Sequence, residues 1–208
     1  MRDARRCSWA QSDPLYRTYH DEEWGRPVTD DHRLYEKLVL EGFQAGLSWL
    51  TIPRKRPRFR AVFAAFDPAI VARFGARDVR RLLVDDGIVR HRGKIEAAVE
   101  NARCVLAVQR EFGSFASYVW RFAPATTRAP ASRAAIPAET AASRALARDL
   151  KTRGFRFVGP ATVYAFMQAM GLVNDHVRHC HVRRAVEAER ERRATSLSGA
   201  RPLSLRNV

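Results

Sequence analysis

The chain has 208 residues, of which 46% are hydrophobic, and this content excludes a chain that is disordered throughout. Its formal net charge is +15, which indicates a polyanionic partner, and nucleic acid is the first candidate. The sequence contains no run of about 18 apolar residues, so no membrane span is predicted. No signal peptide is recognised at the N-terminus. Only three cysteines are present, which argues against a disulfide framework and for a reducing, cytoplasmic location.

Helix-start signals recur along the chain, and no strand pattern of convincing length appears between them. An aspartate followed by proline combines an N-cap with a first helical residue that needs no N–H donor. Helices are therefore predicted from Asp13-Pro14 to about Trp24-Gly25, from Asp30 or Asp31, from Asp67-Pro68 and from Ala76. Pro53, in contrast, is predicted to end helical structure.

The second half of the chain has the same helical character. A turn over residues 86–95 leads into a long helix that is predicted to bury Cys104 in its apolar face. A surface loop over 124–138 precedes a helix over 138–153 that ends at Gly154. The predicted fold class is all-α, with one unit over residues 1–181, a middle lobe over roughly 35–165, and a basic, mobile tail over 182–208.

The stretch 40–50 places a carboxylate where apolar residues dominate. One helical stripe consists of Glu41 and three apolar residues, Leu34, Leu38 and Ala45. Burying an ionised Glu is costly unless it is hydrogen-bonded, and Trp49, a flat apolar surface, follows a few residues later. The pair suits a pocket for a flat, polar-edged ring, whereas an interfacial Glu and a core Trp are the structural alternative.

Residues 153–163 have the pattern of two helices joined by a tight hairpin. Gly154 ends one helix, and Gly159 with Thr162 begins the next. Glycines let the backbone approach a ligand closely, and a helix N-terminus offers N–H groups and a positive dipole end to an anion. Gly154, Gly159 and Thr162 therefore either contact a DNA phosphate or belong to a helical hairpin without a ligand.

Cysteines and histidines occur towards both ends of the chain. His176 and Cys180 are four residues apart, on one helical face and at a spacing that chelates a metal ion. Cys7 and His20 are more loosely spaced. Together the four would form a Cys2His2 zinc site that fastens the N-terminal segment to the C-terminal helix, unless they are merely scattered in a His-rich region.

Two further features are typical of nucleic-acid binding. Four aromatic residues precede position 25, and although such residues more often form core, their density favours base stacking: Trp9, Tyr16, Tyr19 and Trp24. A run of positive charge over 54–60 begins with Arg54 and Lys55. Such a run is usually a solvated face, and beside a suspected pocket it is also a candidate phosphate contact.

Blocks of residues in a fixed order resemble one family of enzymes. They include Tyr19-His20-Asp21, Glu23-Trp24-Gly25, Leu40-Glu41-Gly42, residues 44–49, Gly154-Phe155, Phe157-Val158-Gly159 and residues 171–176. From Cys7 to about Cys180 the chain resembles the DNA-3-methyladenine glycosylase I family, the zinc-containing branch of the helix-hairpin-helix DNA glycosylases. The resemblance implies a helix-hairpin-helix fold and excision of a flipped 3-methyladenine base from alkylated double-stranded DNA by a monomer.

The resemblance also assigns roles to individual residues. Cys7, His20, His176 and Cys180 match the ligands of one structural zinc ion. Glu41 matches the carboxylate that hydrogen-bonds the flipped base. The rest of the base pocket is matched by Trp49, which stacks on the base, and by Tyr19, Tyr16, Trp9, Trp24 and Ser48.

The implied mechanism uses the positive charge of the 3-methylated purine, which makes the base a good leaving group. Glu41 is expected to recognise and stabilise the base rather than to activate water, and its charge favours a cationic base over neutral adenine. Members of the wider superfamily carry an Asp just after the hairpin. Either Asn174 or Asp175 takes this position, so Asp175 is the alternative catalytic residue.

Cleavage of the DNA strand itself is not expected. Lyase-type members of the superfamily have a Schiff-base lysine near the start of the second hairpin helix, and Ala161 stands at about this position. The enzyme is therefore predicted to leave the DNA strand uncut at the abasic site. The competing class of protein is a non-catalytic, zinc-stabilised DNA-binding module, for which the charge and the hairpin would suffice.

Overall fold

The computed structural model describes residues 5–48 and 50–198, with side chains up to residue 193. These residues form α-helices and short 3-10 turns but no strand, which confirms the all-α prediction. The helices are α1 (Pro14–Glu22), α2 (Asp31–Gln44), α3 (Thr51–Val62), α4 (Pro68–Val71), α5 (Ala76–Leu83), α6 (Arg92–Phe112), α7 (Phe115–Trp120), α8 (Ala141–Thr152), α9 (Pro160–Ala169) and α10 (Arg183–Ser198). Within this described part, no helix is long and apolar enough to cross a membrane.

Side chains at the predicted start signals cap the helices. Asp13 accepts a hydrogen bond from the Leu15 N–H at 2.8 Å and begins α1, and Asp67 begins α4 in the same way. Asp30, rather than Asp31, is the N-cap of α2. Asp31 instead accepts hydrogen bonds from the first two N–H groups of α7, which joins α2 to that helix.

The prediction that Pro53 ends helical structure is wrong. Pro53 is the third residue of α3, in the first helical turn, where an N–H donor is not needed. The helix continues through Val62 although Pro57 lies inside it. The basic run 54–60 is therefore the body of a helix that packs against α2.

The long helix α6 lies at the centre of the fold, against α2, α4, α5 and α7. Cys104 is buried on it, as predicted, and its thiol donates a hydrogen bond to the Arg153 carbonyl at 3.3 Å. An aromatic cluster packs between α2, α3 and the turn that follows α3: Tyr35, Phe43, Phe59, Phe63 and Phe66. The aromatic cluster therefore holds α3 on α2, and α2 in turn packs on the central helix.

The predicted hairpin joins α8 to α9. Gly154 follows the end of α8 with a φ of 92°, a left-handed conformation that strains other residues. Asn101 of α6 is buried and brackets the turn, because its amide donates to the Arg156 carbonyl at 3.0 Å and accepts from the Arg156 N–H at 2.8 Å. Gly159 is the N-cap of α9. The helix-hairpin-helix is thus anchored on the central helix.

The segment predicted as a basic tail begins with a helix that packs on the rest of the molecule. In α10, Val186 and Arg190 are buried. The Arg190 guanidinium donates to the carbonyls of Gly171 and Leu172, both at 2.9 Å. The first part of α10 therefore belongs to the folded unit, and residues 199–208 of the predicted tail lie outside the described residues.

Candidate active site and metal centre

A cluster of two cysteines and two histidines joins the two ends of the chain. Cys7, His20, His176 and Cys180 are all buried, and their ligand atoms lie within 4.8 Å of one another. Helix α1 supplies His20. His176 and Cys180 lie between α9 and α10, so the prediction that they share a face of the C-terminal helix is wrong. The four residues that were predicted as metal ligands are therefore brought together in the structure and could hold a metal ion.

The distances between the ligand atoms suit an ion with tetrahedral coordination. Zn–N bonds of about 2.0 Å and Zn–S bonds of about 2.3 Å place two nitrogens about 3.3 Å apart and a nitrogen about 3.5 Å from a sulfur. Nε2 of His20 lies 3.2 Å from Nδ1 of His176, and Sγ of Cys180 lies 3.4 and 3.5 Å from these two nitrogens. Sγ of Cys7 is 3.8 Å from Nδ1 of His176. The donor set and its spacing fit an ion of this size.

Hydrogen bonds on the outer side of both imidazoles fix which nitrogen faces the cluster. Nδ1 of His20 lies 2.7 Å from the Asp21 carboxylate, and Nε2 of His176 lies 2.9 Å from the Trp24 carbonyl. Both acceptors require an N–H on that side, so the opposite nitrogen keeps its lone pair for a metal ion. Arg6 holds Asp21 in place with hydrogen bonds of 3.1 and 2.9 Å.

The four aromatic residues of the N-terminal region form one group around Trp9. The Trp9 ring centroid is 5.2 Å from that of Trp24, 6.0 Å from that of Tyr16 and 6.4 Å from that of Tyr19. Tyr19 is partly exposed, whereas the other three are buried. Trp9 also packs edge-on against His20 at 5.3 Å. The aromatic group is therefore built directly on the Cys/His cluster.

Glu41 lies on α2, close to Tyr19 of α1. Its side chain is 14% exposed, and the Lys37 ammonium lies 2.7 Å from its Oε1. The same ammonium lies over the Tyr19 ring, 5.1 Å from the centroid. Burial by itself lowers the pKa of Lys37, but the neighbouring carboxylate and the Tyr19 hydroxyl raise it above its ordinary value, so Lys37 stays charged. Lys37 thus joins two of the predicted base-binding residues.

The loop after α2 is held on both sides of Trp49, which itself lies outside the described residues. Lys94 of α6 donates to two carbonyls at the C-terminal end of α2, at 2.9 and 2.7 Å, which caps that helix. On the other side, Ser48 is exposed, and its hydroxyl lies 2.8 Å from that of Thr51 in the first turn of α3. Ser48 is therefore accessible to a ligand.

The hairpin residues predicted to contact phosphate lie around one turn. Gly154 is exposed, Gly159 is the N-cap of α9, and Thr162 lies in the first turn of α9. Phe157, at the tip of the turn, is 39% exposed. Because the first N–H groups of a helix have no intrahelical partner, this turn offers hydrogen-bond donors to an anion.

The cations of the basic run 54–60 all have partners within the protein. Arg56 and Arg60 bind Glu36, Arg58 binds Asp85, Arg54 binds Asp13, and Lys55 donates to the Asp86 carbonyl. The Arg54 side chain is 63% exposed, the most of the four arginines, whereas that of Arg56 is 20% exposed. The inner part of the run is thus an ion-pair network, and Arg54 stays the most accessible to a phosphate.

The two residues that compete for the position after the hairpin differ in their surroundings. Asn174 is fully buried, and its amide donates to the Glu187 carboxylate of α10 at 2.6 Å. Asp175 accepts hydrogen bonds from Tyr164 at 2.5 Å and from Gln168 at 2.8 Å, and it lines a cleft of about 610 Å³ beside the loop 124–138. Both residues are buried, and of the two Asp175 is the one that lines this cleft.

Two residues of the site were not predicted from the sequence: Lys37 and Asp21. Lys37 is four residues before Glu41, the spacing of a helical ion pair, so the pattern contained a signal. Asp21 follows His20 directly, and a carboxylate beside a histidine ligand is a common orienting partner. Both act through a neighbouring residue that the sequence did single out.

Solved structures with this architecture define the class of protein. A crystal structure of 3-methyladenine DNA glycosylase I superimposes with a TM-score of 0.82 at 51% sequence identity, over 85% of this chain and 98% of that one. A variant of 3-methyladenine DNA glycosylase I in complex with 3-methyladenine gives a TM-score of 0.82 at 35% identity, over 86% and 97% of the two chains. The helical fold is therefore that of a DNA glycosylase.

Sequence comparison narrows the class to one family. DNA-3-methyladenine glycosylase 1 of Escherichia coli is 51% identical over 178 residues, which are 84% of this chain and 95% of that protein. The sequence model of the methyladenine glycosylase family matches residues 9–184. The chain belongs to the methyladenine glycosylase family.

Proposed function

We propose that this protein removes 3-methyladenine from alkylated double-stranded DNA, as a monomer in the cytoplasm, and so begins base-excision repair. The observation that carries the proposal is the position of Glu41, a little-exposed carboxylate that shares Lys37 with the Tyr19 ring, in a member of the methyladenine glycosylase family. A relative of known structure holds 3-methyladenine itself, which supports this choice of base.

The proposed DNA contacts come from two helices. A target base leaves the duplex before any side chain reaches it, and the protein must grip the backbone while this happens. The turn around Gly154, Gly159 and Thr162 binds phosphate oxygens without reading bases. Arg54 and Lys55 of α3 extend the contact. The net charge of +15 supports attraction to the backbone as a whole.

The proposed reaction breaks the bond between C1′ of the sugar and N9 of the base. Both electrons of this bond pass to the purine ring, which loses the positive charge that N3-methylation gave it. C1′ becomes cationic, takes up the oxygen of a water molecule and releases a proton, which leaves an abasic site. Because the methylated base is already a good leaving group, choosing the base matters more than activating it.

Glu41 is the proposed recognition residue. Its carboxylate accepts a hydrogen bond from the exocyclic amine of the base, while Trp49 stacks on the ring, an interaction that contributes about 1 to 3 kcal/mol. Tyr19 forms the partly exposed side of the pocket. The remaining pocket residues are Tyr16, Trp9, Trp24 and Ser48.

The Cys/His cluster is the proposed site of one zinc ion, held by Cys7, His20, His176 and Cys180. Four protein ligands complete a tetrahedral coordination, so the ion has a structural role and leaves no open position for water. The cluster ties the residues before α1 to those after α9. Since Trp9 packs on His20, the same cluster fixes the position of the pocket aromatics.

The abasic site is proposed to remain uncut. Ala161, in the first turn of α9, occupies the region where a Schiff-base lysine would be needed, and its methyl group cannot form a covalent intermediate. Asp175 is the alternative catalytic carboxylate. The hydrogen bonds from Tyr164 and Gln168 both go to Oδ2 of Asp175.

Glu41→Gln tests the proposed recognition. The amide keeps the size of the side chain but loses the charge, and hydrogen bonds to charged groups contribute about 1.5 to 3 kcal/mol, so release of 3-methyladenine from methylated DNA is expected to fall by about 10- to 100-fold. Glu139→Gln, at an exposed ion pair with Arg144, is the matched control and keeps the wild-type rate. Wild-type release and unchanged binding of the free base by Glu41→Gln would exclude this role.

A further inference from the structure

Lys37 lies at the meeting point of two proposed base-binding residues. Its ammonium is 2.7 Å from Oε1 of Glu41 and 5.1 Å from the centroid of the Tyr19 ring. The side chains of Lys37 and Glu41 are only 16% and 14% exposed. Water and salt therefore screen this ion pair less than they screen the exposed pairs elsewhere on the helices.

The ion pair leaves the pocket nearly neutral before a base arrives. From α1, Tyr19 faces the pair, and burial raises the pKa of its hydroxyl, which therefore stays uncharged. The negative charge of Glu23, the C-cap of α1, also raises the pKa of the Tyr19 hydroxyl, but Glu23 is itself paired with Arg56 at 2.7 Å. Lys37 lies 2.7 Å from one carboxylate oxygen of Glu41, Oε1, and the other oxygen, Oε2, is the one assigned to the hydrogen bond with a base.

The charge of the base changes during the proposed reaction. The methylated base is cationic while it is attached to the sugar, and it is neutral once the electrons of the C1′–N9 bond have moved onto it. A carboxylate without a counter-ion would stabilise the base more before the bond breaks than after. Such stabilisation tightens substrate binding but slows the chemical step, because only interactions that are stronger in the transition state accelerate it.

We propose that Lys37 is a positioning residue of this reaction: by pairing with Glu41, it lets the carboxylate recognise the base through a hydrogen bond without holding the base in its cationic, unreacted form. The inference rests on the proposed excision of 3-methyladenine. It gives α2 two functions, since Glu41 recognises the base and Lys37 sets the effective charge of Glu41.

Lys37→Met removes the charge and keeps most of the side-chain length. In single-turnover assays on methylated duplex DNA, we expect the protein concentration at half-maximal rate and the maximal rate both to fall, each by roughly tenfold. Lys37→Arg keeps the charge and is expected to behave like the wild type. Arg144→Met, which breaks an exposed ion pair with Glu139, controls for the loss of one positive charge.

Two results of these assays would overturn the proposal. One is a Lys37→Met protein that keeps the wild-type melting temperature, metal content and both kinetic constants. The other is a fall in maximal rate without tighter DNA binding, because it would assign Lys37 a structural role only. Lys37→Gln replaces Lys37→Met in both assays if the latter does not fold.

Binding of two free bases tests the same point without any reaction. Calorimetry compares 3-methyladenine, which is neutral, with N3,N9-dimethyladeninium, which is permanently cationic. Lys37→Met is expected to shift the ratio of the two affinities toward the cation by roughly tenfold, and Lys37→Arg to leave the ratio unchanged. An unchanged ratio in Lys37→Met would overturn the role of Lys37. A shifted ratio supports it even if the wild type releases no 3-methyladenine from DNA, a result that would refute the proposed function alone.

Discussion

The imidazole of His20 is fixed from both sides. One ring nitrogen lies 3.4 Å from Sγ of Cys180, and the other lies 2.7 Å from the Asp21 carboxylate. Because Arg6 in turn donates to Asp21, a short chain of hydrogen bonds aims the free nitrogen at the centre of the Cys/His cluster. This orientation lowers the cost of ordering the ligands when a metal ion binds.

Asp21→Asn is expected to weaken zinc binding by about 10- to 100-fold, because an amide does not hold the histidine in one tautomer as a carboxylate does. The measurement is the distribution of zinc between the protein and a competing chelator of known affinity. Asp86→Asn removes an exposed carboxylate that is not part of the cluster, and it should leave the zinc affinity unchanged. An Asp21→Asn protein that binds zinc as tightly as the wild type would show that Asp21 does not orient His20.

At the scale of elements, α3 is attached to its neighbours by a network of charges. Glu36 of α2 is buried and accepts hydrogen bonds from Arg56 at 2.7 Å and from Arg60 at 2.8 and 3.0 Å. Arg56 also donates to Glu23, the C-cap of α1, at 2.7 Å. The network therefore links α3 to the two helices that carry the proposed base pocket, α1 and α2.

The pKa of Glu36 lies below its ordinary value. Burial by itself raises this pKa, but hydrogen bonds from Arg60 and Arg56 outweigh burial. A carboxyl group whose pKa is lowered on folding stabilises the fold above its unfolded pKa of about 4.3, and this contribution is lost as the pH falls through the lower, folded pKa. The contribution of Glu36 to stability is therefore complete at neutral pH and declines only under acidic conditions.

Glu36→Gln is expected to lower the free energy of unfolding by about 3 kcal/mol at neutral pH, because it removes the carboxylate from a largely buried ion-pair network. Denaturant unfolding at neutral pH, and then in steps below about pH 4, measures the difference from the wild type. The difference should narrow as Glu36 becomes protonated in the wild type. A difference that stays constant over this range would show that lost packing, and not lost charge, destabilises the variant.

Local sequence signals predicted the helices better than the contacts between them. A cap such as Asp13 or Asp67 is recognised within a few residues, so α1 and α4 begin where the sequence indicated. The partners of the basic run could not be predicted, since Glu36 is 20 and 24 positions from Arg56 and Arg60 and meets them only because α2 packs on α3. The prediction that Pro53 ends helical structure was wrong because no side-chain cap marks the start of α3 in the sequence.

In the candidate site, too, local patterns were predicted from the sequence and contacts between distant elements were not. The four-residue spacing of His176 and Cys180 suggested a metal site to which Cys7 and His20 were added as loosely spaced partners, and the family resemblance matched all four to zinc ligands. Lys37 and Glu41 have the spacing of an ion pair, but no local pattern encodes the position of Tyr19 from α1 against the Lys37 ammonium.

At the scale of the whole molecule, the Cys/His cluster joins the N-terminal part of the chain to its C-terminal part. Cys7 and His176 are 169 positions apart in the chain, yet Sγ and Nδ1 are 3.8 Å apart. Helix α10 adds a second fastening: it extends beyond residue 184, where the family match ends, and Arg183 donates to the His176 carbonyl at 2.6 Å. The segment with two proposed metal ligands is thus held by the cluster and by α10 together.

Release of one methylated base is the activity that the fold, the pocket and the positive charge are proposed to serve. The direct measurement incubates the zinc-loaded protein with duplex DNA that has been treated with a methylating agent, and then separates and identifies the released bases. We predict release of 3-methyladenine, with the DNA strand intact until alkali or a separate lyase is added. DNA binding without release of any purine would contradict this and indicate a non-catalytic, zinc-stabilised DNA-binding module.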